Sequence, residues 1–300
     1  MNIRSIFSPA ERRLGIILLL LIVPLTARSQ NPVEDAIKQL SSDNVRGYLQ
    51  PLVNSIGANL NSGVSHSSNI GDMGLSIKLD IIGMATFIGD AEKTYSAIAP
   101  QPFDQTSTQT ATLFGGLGSV VNGPASTQYQ FQTGQVKTSL VGFGAPQLTI
   151  GNVFGTQAIV RYIPIPEVDN FPKMTYWGIG ARHSISRYLP TAPVDLAASI
   201  LYQKVMIGDI LDETAFSFGA QASKSFYLLT LYGGLQYESS KMSVHYTQTG
   251  TSSSINLDLD GENKFRATAG LGLNLVILNL FADINVGKVT VASGGIGFGF

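Results

Sequence analysis

Few residues in this chain could carry out acid–base or nucleophilic chemistry. A hydrolase needs a serine, a histidine and a carboxylate or carboxamide within reach of one another. The histidines are His66, His183 and His245. His183 stands between Arg182 and Ser184 in an alternating segment, where Ser184 and Ser186 face away from it. His245 has Ser243 two residues away on the polar side of a short strand. Neither lies in the sharp strand-to-helix turn that exposes a nucleophilic serine, so no catalytic residue is assigned and the chain is not read as an enzyme. Cysteine is absent, which excludes disulfides and thiolate metal sites. Asp90, Glu92, Asp104, Asp209, Asp212 and Glu213 lack the spacing of a calcium loop and read as solvated loop charge. No metal or cofactor site is expected.

A second set of polar residues is defined by alternation. Lys264 and Arg266 stand opposite Phe265, Ala267, Ala269, Leu271 and Leu273. Asn279, Asp283 and Asn285 oppose Leu278, Leu280, Ala282, Ile284 and Val286, and Asp258 opposes Ile255, Leu257 and Leu259. If the apolar faces meet lipid, Lys264, Arg266, Asp258, Asn279, Asp283 and Asn285 turn toward a lumen. They would either line a hydrated pore or pair across strands to close it, and both readings stay open.

The elements that must place these residues follow from the rest of the chain. Arg4, Arg12 and Arg13 precede the apolar run 14–23, and Ala27 and Ser29 are spaced as an export cleavage site before Gln30. Residues 1–29 therefore read as a signal peptide. No later run is long and apolar enough for a transmembrane helix, so any spanning segment must be a strand. Charged residues make up 13% of the chain and the net charge is −1, which supplies no footprint for nucleic acid. Alternating segments are expected at 73–88, 136–150, 155–165, 173–187, 194–206, 214–224, 226–238, 241–248, 253–260, 263–274, 277–287 and 290–300. They predict an all-β fold, an antiparallel transmembrane β-barrel of about 12 strands, with 10 to 14 allowed. Tyr176, Trp177, Tyr188, Tyr202, Tyr227, Tyr232, Tyr237 and Tyr246 lie toward many strand ends, where barrels carry aromatic girdles.

Residues 30–70 are expected to form a helical plug or periplasmic cap, with the barrel over 71–300. Asn31 and Pro32 suit a helix start. A second helix begins near Asp43 or Asn44, with Val45, Tyr48, Leu49, Leu52, Val53 and Ile56 on one face and Pro51 straining its middle. Between 89 and 134 the alternation fails, so this stretch is read as a long loop without regular elements. Phe103, Leu113 and Phe114 within it are candidates for solute capture.

The last strand alternates Ile296, Phe298 and Phe300 with Gly295, Gly297 and Gly299. Ser293, Gly295, Phe298 and Phe300 match the pattern of, and so resemble, the C-terminal assembly signal of bacterial outer-membrane barrels. The resemblance implies delivery to the outer membrane, with the barrel assembly machinery and outer-membrane lipid as partners. Tyr48, Leu49, Gln50 and Pro51, followed by Gly57, Ala58, Asn59, Leu60, Asn61, Ser62 and Gly63, resemble the start of a Bacteroidota outer-membrane barrel family with no assigned function. More distantly, the arrangement is similar to outer-membrane transporters of long-chain fatty acids. That likeness implies cofactor-free, passive uptake of a small hydrophobic solute past an N-terminal plug. A structural or adhesion barrel with a closed lumen and a soluble exported β protein are the competing expectations.

Overall fold

Period-two alternation governs most of the chain, and it produces strands. The computed structural model describes residues 42–167, 172–208, 210–247 and 254–299. The expected signal peptide, the helix expected from Asn31 to residue 40, and Phe300 lie outside the described residues. The strands in chain order are β1 (Ser76–Phe87), β2 (Thr94–Ala97), β3 (Thr108–Ala111), β4 (Val120–Asn122), β5 (Gln128–Gln130), β6 (Leu140–Val153), β7 (Thr156–Ile165) and β8 (Met174–Ser184). They continue as β9 (Asp195–Ile207), β10 (Leu211–Phe226), β11 (Leu229–Thr247), β12 (Ser254–Asp260), β13 (Phe265–Leu275), β14 (Leu278–Val286) and β15 (Thr290–Gly299). Among the described residues one α-helix, α1, spans Ser42–Leu60.

Ten strands close into a ring through antiparallel pairs: β1, β6, β7, β8, β9, β10, β11, β13, β14, β15 and back to β1. The closing pair sets Lys78 against Gly299 and Thr86 against Val291. The fold is thus the expected all-β barrel, but the count is ten strands plus one outside the ring, not about twelve. Two expected strands, 226–238 and 241–248, are the single strand β11. Its outer face changes from Leu229, Leu231, Leu235 and Tyr237 to Ser239, Lys241, Ser243 and His245, which reads in sequence as a break. Its inner face continues through Glu238, Met242 and Val244, all buried, so the strand runs on. β13 pairs with the first half of β11 and β12 with the second, which carries β12 past the rim.

One end of the ring has tight connections, two residues each at 154–155, 227–228 and 276–277. The opposite end carries the connection 88–139. That stretch is not the loop without elements that was expected. β2 pairs with β3 and β4 with β5, over a small core of Ala97, Ala99 and Phe131 flanked by Tyr95, Phe103, Val121 and Tyr129. Strands of three or four residues are too short to show a period, which hid this cap in the sequence.

α1 runs from beneath the cap into the ring. Val45, Tyr48, Leu49 and Val53 pack against Leu113, Phe114, Met242, Val244, Leu257 and Leu259. Deeper, Ala58 and Leu60 join Ile82, Met84, Phe143, Tyr176 and Val205 from the inner wall. Pro51 sits inside the helix, where it removes one backbone hydrogen bond. Packing of the apolar stripe on both sides offsets that loss.

Candidate functional site in the barrel interior

The last turn of a helix leaves carbonyls without partners, and its dipole favours cations there. Two arginines of the barrel wall meet both needs for α1. Arg161, on β7 and fully buried, donates from Nη1 to Leu60 O (3.0 Å) and from Nη2 to Ser62 O and Gly63 O (3.0 Å each). Gln147 (β6) and Gln203 (β9) accept from the same guanidinium at 2.9 and 3.0 Å, and Gln203 also donates to Leu60 O at 2.6 Å. From the opposite wall Arg266, on β13, donates to Ala58 O at 2.8 Å and to Ser62 Oγ. Glu238, on β11, balances it through an ion pair of 3.0 Å in which both side chains are almost wholly buried. Asn263 and Gln236 donate to the same carboxylate.

Beyond this clamp, residues 61–70 thread toward the tight-turn end, bonded to the wall along the way. Gln236 donates to Asn61 O at 3.1 Å and Gln221 to Ser65 O at 3.0 Å. Arg182 donates to Ser67 O, and Ser68 N donates to Ser223 Oγ at 2.8 Å. His66 stacks on Phe281 with ring centroids 4.4 Å apart and meets Lys78 Nζ, whose own carboxylate neighbour is Asp80 at 3.5 Å. A cavity of about 40 Å³ remains beside Asn61, Gln221, Gln236, Thr268, Asp283 and Asn285. A space of that size holds a few waters. Asn61 Nδ2, Asp80 Oδ1 and both oxygens of Glu213 are buried without hydrogen-bond partners.

The residues singled out in the sequence divide between interior and exterior. Arg266, Asp283 and Asn285 are buried inside the ring, and Asn279 shares their face of β14. Asp283 accepts from Tyr232 Oη at 2.8 Å and from Asn285 at 2.5 Å. Lys264 and Asp258, expected in the lumen, are not there. Lys264 is exposed in the break between β12 and β13. Asp258 is on the outer face of β12, bonded to Ser243 (2.7 Å) and Lys241 (2.6 Å). The expected polarity of β12 is reversed because it stands beyond the ring, so Leu257 and Leu259 turn inward onto α1.

Leu113 and Phe114, expected to capture solute, are buried in the packing under α1, and Phe103 packs on Tyr129 at 5.5 Å inside the cap. None of the three lines the interior cavity. Ser293 faces inward to Asp283 and Asn285, Gly295 faces inward beside Phe281, and Phe298 is exposed on the outer face. His183 bonds Thr156 Oγ1 (2.9 Å) and Tyr188 Oη (3.0 Å), and His245 bonds Asn256 (2.8 Å).

Sequence reasoning missed Arg161, Gln147, Gln203, Glu238, Arg182 and Asp80. The inner face of β7 is Gln157, Ile159, Arg161, Ile163 and Ile165, against Thr156, Ala158, Val160, Tyr162 and Pro164 outside. With apolar residues dominating both faces, alternation does not mark Arg161 as special. An arginine within such a run, in a chain so poor in charge, is the signal that could have found it.

Ring, clamp and buried plug make up one barrel. Its sequence matches a family of unknown function, DUF6588, over residues 11–300. The chain belongs to that family. No curated protein sequence matches this DUF6588 member. Solved structures similar to it include Ail, the attachment invasion locus protein of Yersinia pestis, at 12% identity, with 76% of this chain and 100% of that chain covered and a TM-score of 0.24. The toluene transporter TbuX of Ralstonia pickettii is 8% identical, with 78% and 91% covered and a TM-score of 0.28. The translocator domain of autotransporter NalP from Neisseria meningitidis is 13% identical, with 86% and 95% covered and a TM-score of 0.29. Superpositions this loose transfer no function to the DUF6588 chain.

Proposed function

We propose that this DUF6588 member is an outer-membrane β-barrel that its own N-terminal segment holds closed, so that it does not conduct as folded and acts through the cap and rim it presents. The apolar outer wall supports the membrane placement, since lipid covers such a face and ring closure leaves no edge to protect. An aromatic arc supports it further. Trp177 and Tyr202 lie 5.6 Å apart by ring centroids, and Phe216, Phe218, Tyr237 and Phe265 follow at 6.2, 5.4 and 5.5 Å. Such arcs mark the edge of the apolar band in barrels.

The observation that carries the closed reading is the clamp of Arg161 and Arg266 on the end of α1. A plug held by two buried guanidiniums, one with a buried carboxylate partner, is a filled core rather than a loose stopper. Fractionation with heat-modifiable gel mobility should find the folded protein in the outer membrane, and purified barrels in planar bilayers should show no steady pore. A stable wild-type conductance overturns the closed reading, and recovery from the periplasm overturns the membrane one.

A second reading, uptake of a small, possibly hydrophobic solute after the plug withdraws, draws support from the buried atoms without hydrogen-bond partners, Asn61 Nδ2, Asp80 Oδ1 and the Glu213 oxygens. Each would gain hydrogen bonds if water entered. Under that reading Arg161→Met produces intermittent openings that the wild type lacks.

A further inference from the structure

The tight-turn end of the ring has an unusual composition. In a two-residue hairpin loop the residue with positive φ is ordinarily glycine, asparagine or aspartate. Here Tyr227 holds that place between β10 and β11 with φ +58, and Val276 holds it between β13 and β14 with φ +65. A β-branched residue in this conformation is an outlier. Both are almost wholly exposed, at 98% and 93%, and Ile277 beside Val276 is 61% exposed. Bulky apolar side chains thus occupy strained positions largely uncovered by the described residues.

The outer wall says what covers them. Residues 225–237 and 267–282 contain no Asp, Glu, Lys, Arg or His, so the charge-free surface of β11, β13 and β14 runs without interruption over both turns. A protein–protein interface would be expected to be ringed by polar residues, whereas on β11, β13 and β14 this surface stays apolar through the turns and Lys224, opposite Leu231 on β10, flanks it on one side. Height gives an independent measure. From Tyr237 to Tyr227 is ten residues, which on a strand tilted as in barrels spans about 25 Å, close to the height of the apolar band. Stopping at Leu229 leaves only about 20 Å. The third tight turn also exposes an apolar residue at positive φ, Phe154, but charged side chains surround it on that part of the rim. Asp72 pairs with Arg187 at 3.6 Å, and Asn69 donates to Asp195 at 3.3 Å.

We infer that the turns 227–228 and 276–277 are seated in the bilayer leaflet on the tight-turn side, with lipid rather than a soluble partner as the occupant. The inference rests on the membrane reading above. Val276 and Tyr227 complete the apolar band on this sector, which sits deeper than the sector carrying Asp72 and Arg187.

The single tryptophan, Trp177, makes the two readings separable. The full chain is refolded into phosphatidylcholine vesicles with or without bromine on the acyl chains. The wild type reports Trp177, and the variants Trp177→Phe/Tyr227→Trp and Trp177→Phe/Val276→Trp report the turns, with folding checked by heat-modifiable mobility. The expected result is loss of emission to brominated lipid at both turn positions, with little quenching by aqueous iodide. If Trp177 is quenched by brominated lipid while both turn positions answer only to iodide, the inference falls and the membrane reading stands. If Trp177 itself is untouched by brominated lipid, the membrane reading falls and takes the inference with it.

Discussion

At the scale of single residues, the informative contrast is between the two arginines that hold α1. Arg266 has a carboxylate partner in Glu238, and Arg161 has only neutral acceptors. Removing one member of a buried ion pair strands the other, at a cost of about 3–5 kcal/mol, whereas replacing both with apolar groups is often nearly neutral. Arg266→Met should therefore lower the temperature of the mobility shift sharply. The double variant Arg266→Met/Glu238→Leu should recover much of that loss, falling short by the bonds to Ala58 O and Ser62. Equal melting of single and double variants would show that the pair is not the source of the stability. Alternation alone exposed Arg266, Asp283 and Asn285 as inward residues, because their strands have one clearly apolar face. It could not expose Arg161, whose strand is mostly apolar on both faces. It misplaced Asp258, because which face of a strand is inner depends on whether the strand belongs to the ring.

At the scale of elements, α1 and the cap depend on each other. Gly47 is where they meet, and a β-carbon there would overlap the Tyr95 ring of β2. Gly47→Ala improves local helix propensity by about 1 kcal/mol but should still loosen the cap, seen as faster protease cleavage within 88–139. A variant with the cap as resistant as the wild type would show that β2 yields freely.

Tyr48, one residue on, donates its hydroxyl to Thr133 O at 3.0 Å, and burial pushes its pKa up to about 12 from the ordinary 10. A pKa raised by folding means the stabilisation is complete below the unfolded value and is lost as pH rises through the folded one. The attachment of helix to cap should weaken between pH 10 and about 12, and Tyr48→Phe should remove that portion of the pH dependence. The helix itself was legible because its apolar stripe is regular. The cap was not, because its strands are shorter than any period, and its fold comes from Phe131 and its neighbours meeting across distant positions.

At the scale of the whole molecule, plug and wall form one hydrogen-bonded unit. Ala58, Leu60, Ser62 and Gly63 are held by arginines on opposite sides of the ring, so the plug has no separate interface along which to melt. Helical and strand signals should be lost in one transition on heating, with coincident midpoints by circular dichroism at helix- and strand-sensitive wavelengths. A helix that melts first would favour withdrawal of the plug and solute uptake over the closed barrel.

The enclosed helix also fixes the girth of the barrel. A helix with its side chains is about 10–12 Å across, and ten strands surround one such rod with only a small cavity to spare. Adding a hairpin to the wall would pull Arg161 and Arg266 too far apart to grip the same carbonyls. Removing one would leave no room for Tyr48 or Leu60. Strand number and helix thickness are therefore tied together, and a change in either would have to be matched by the other.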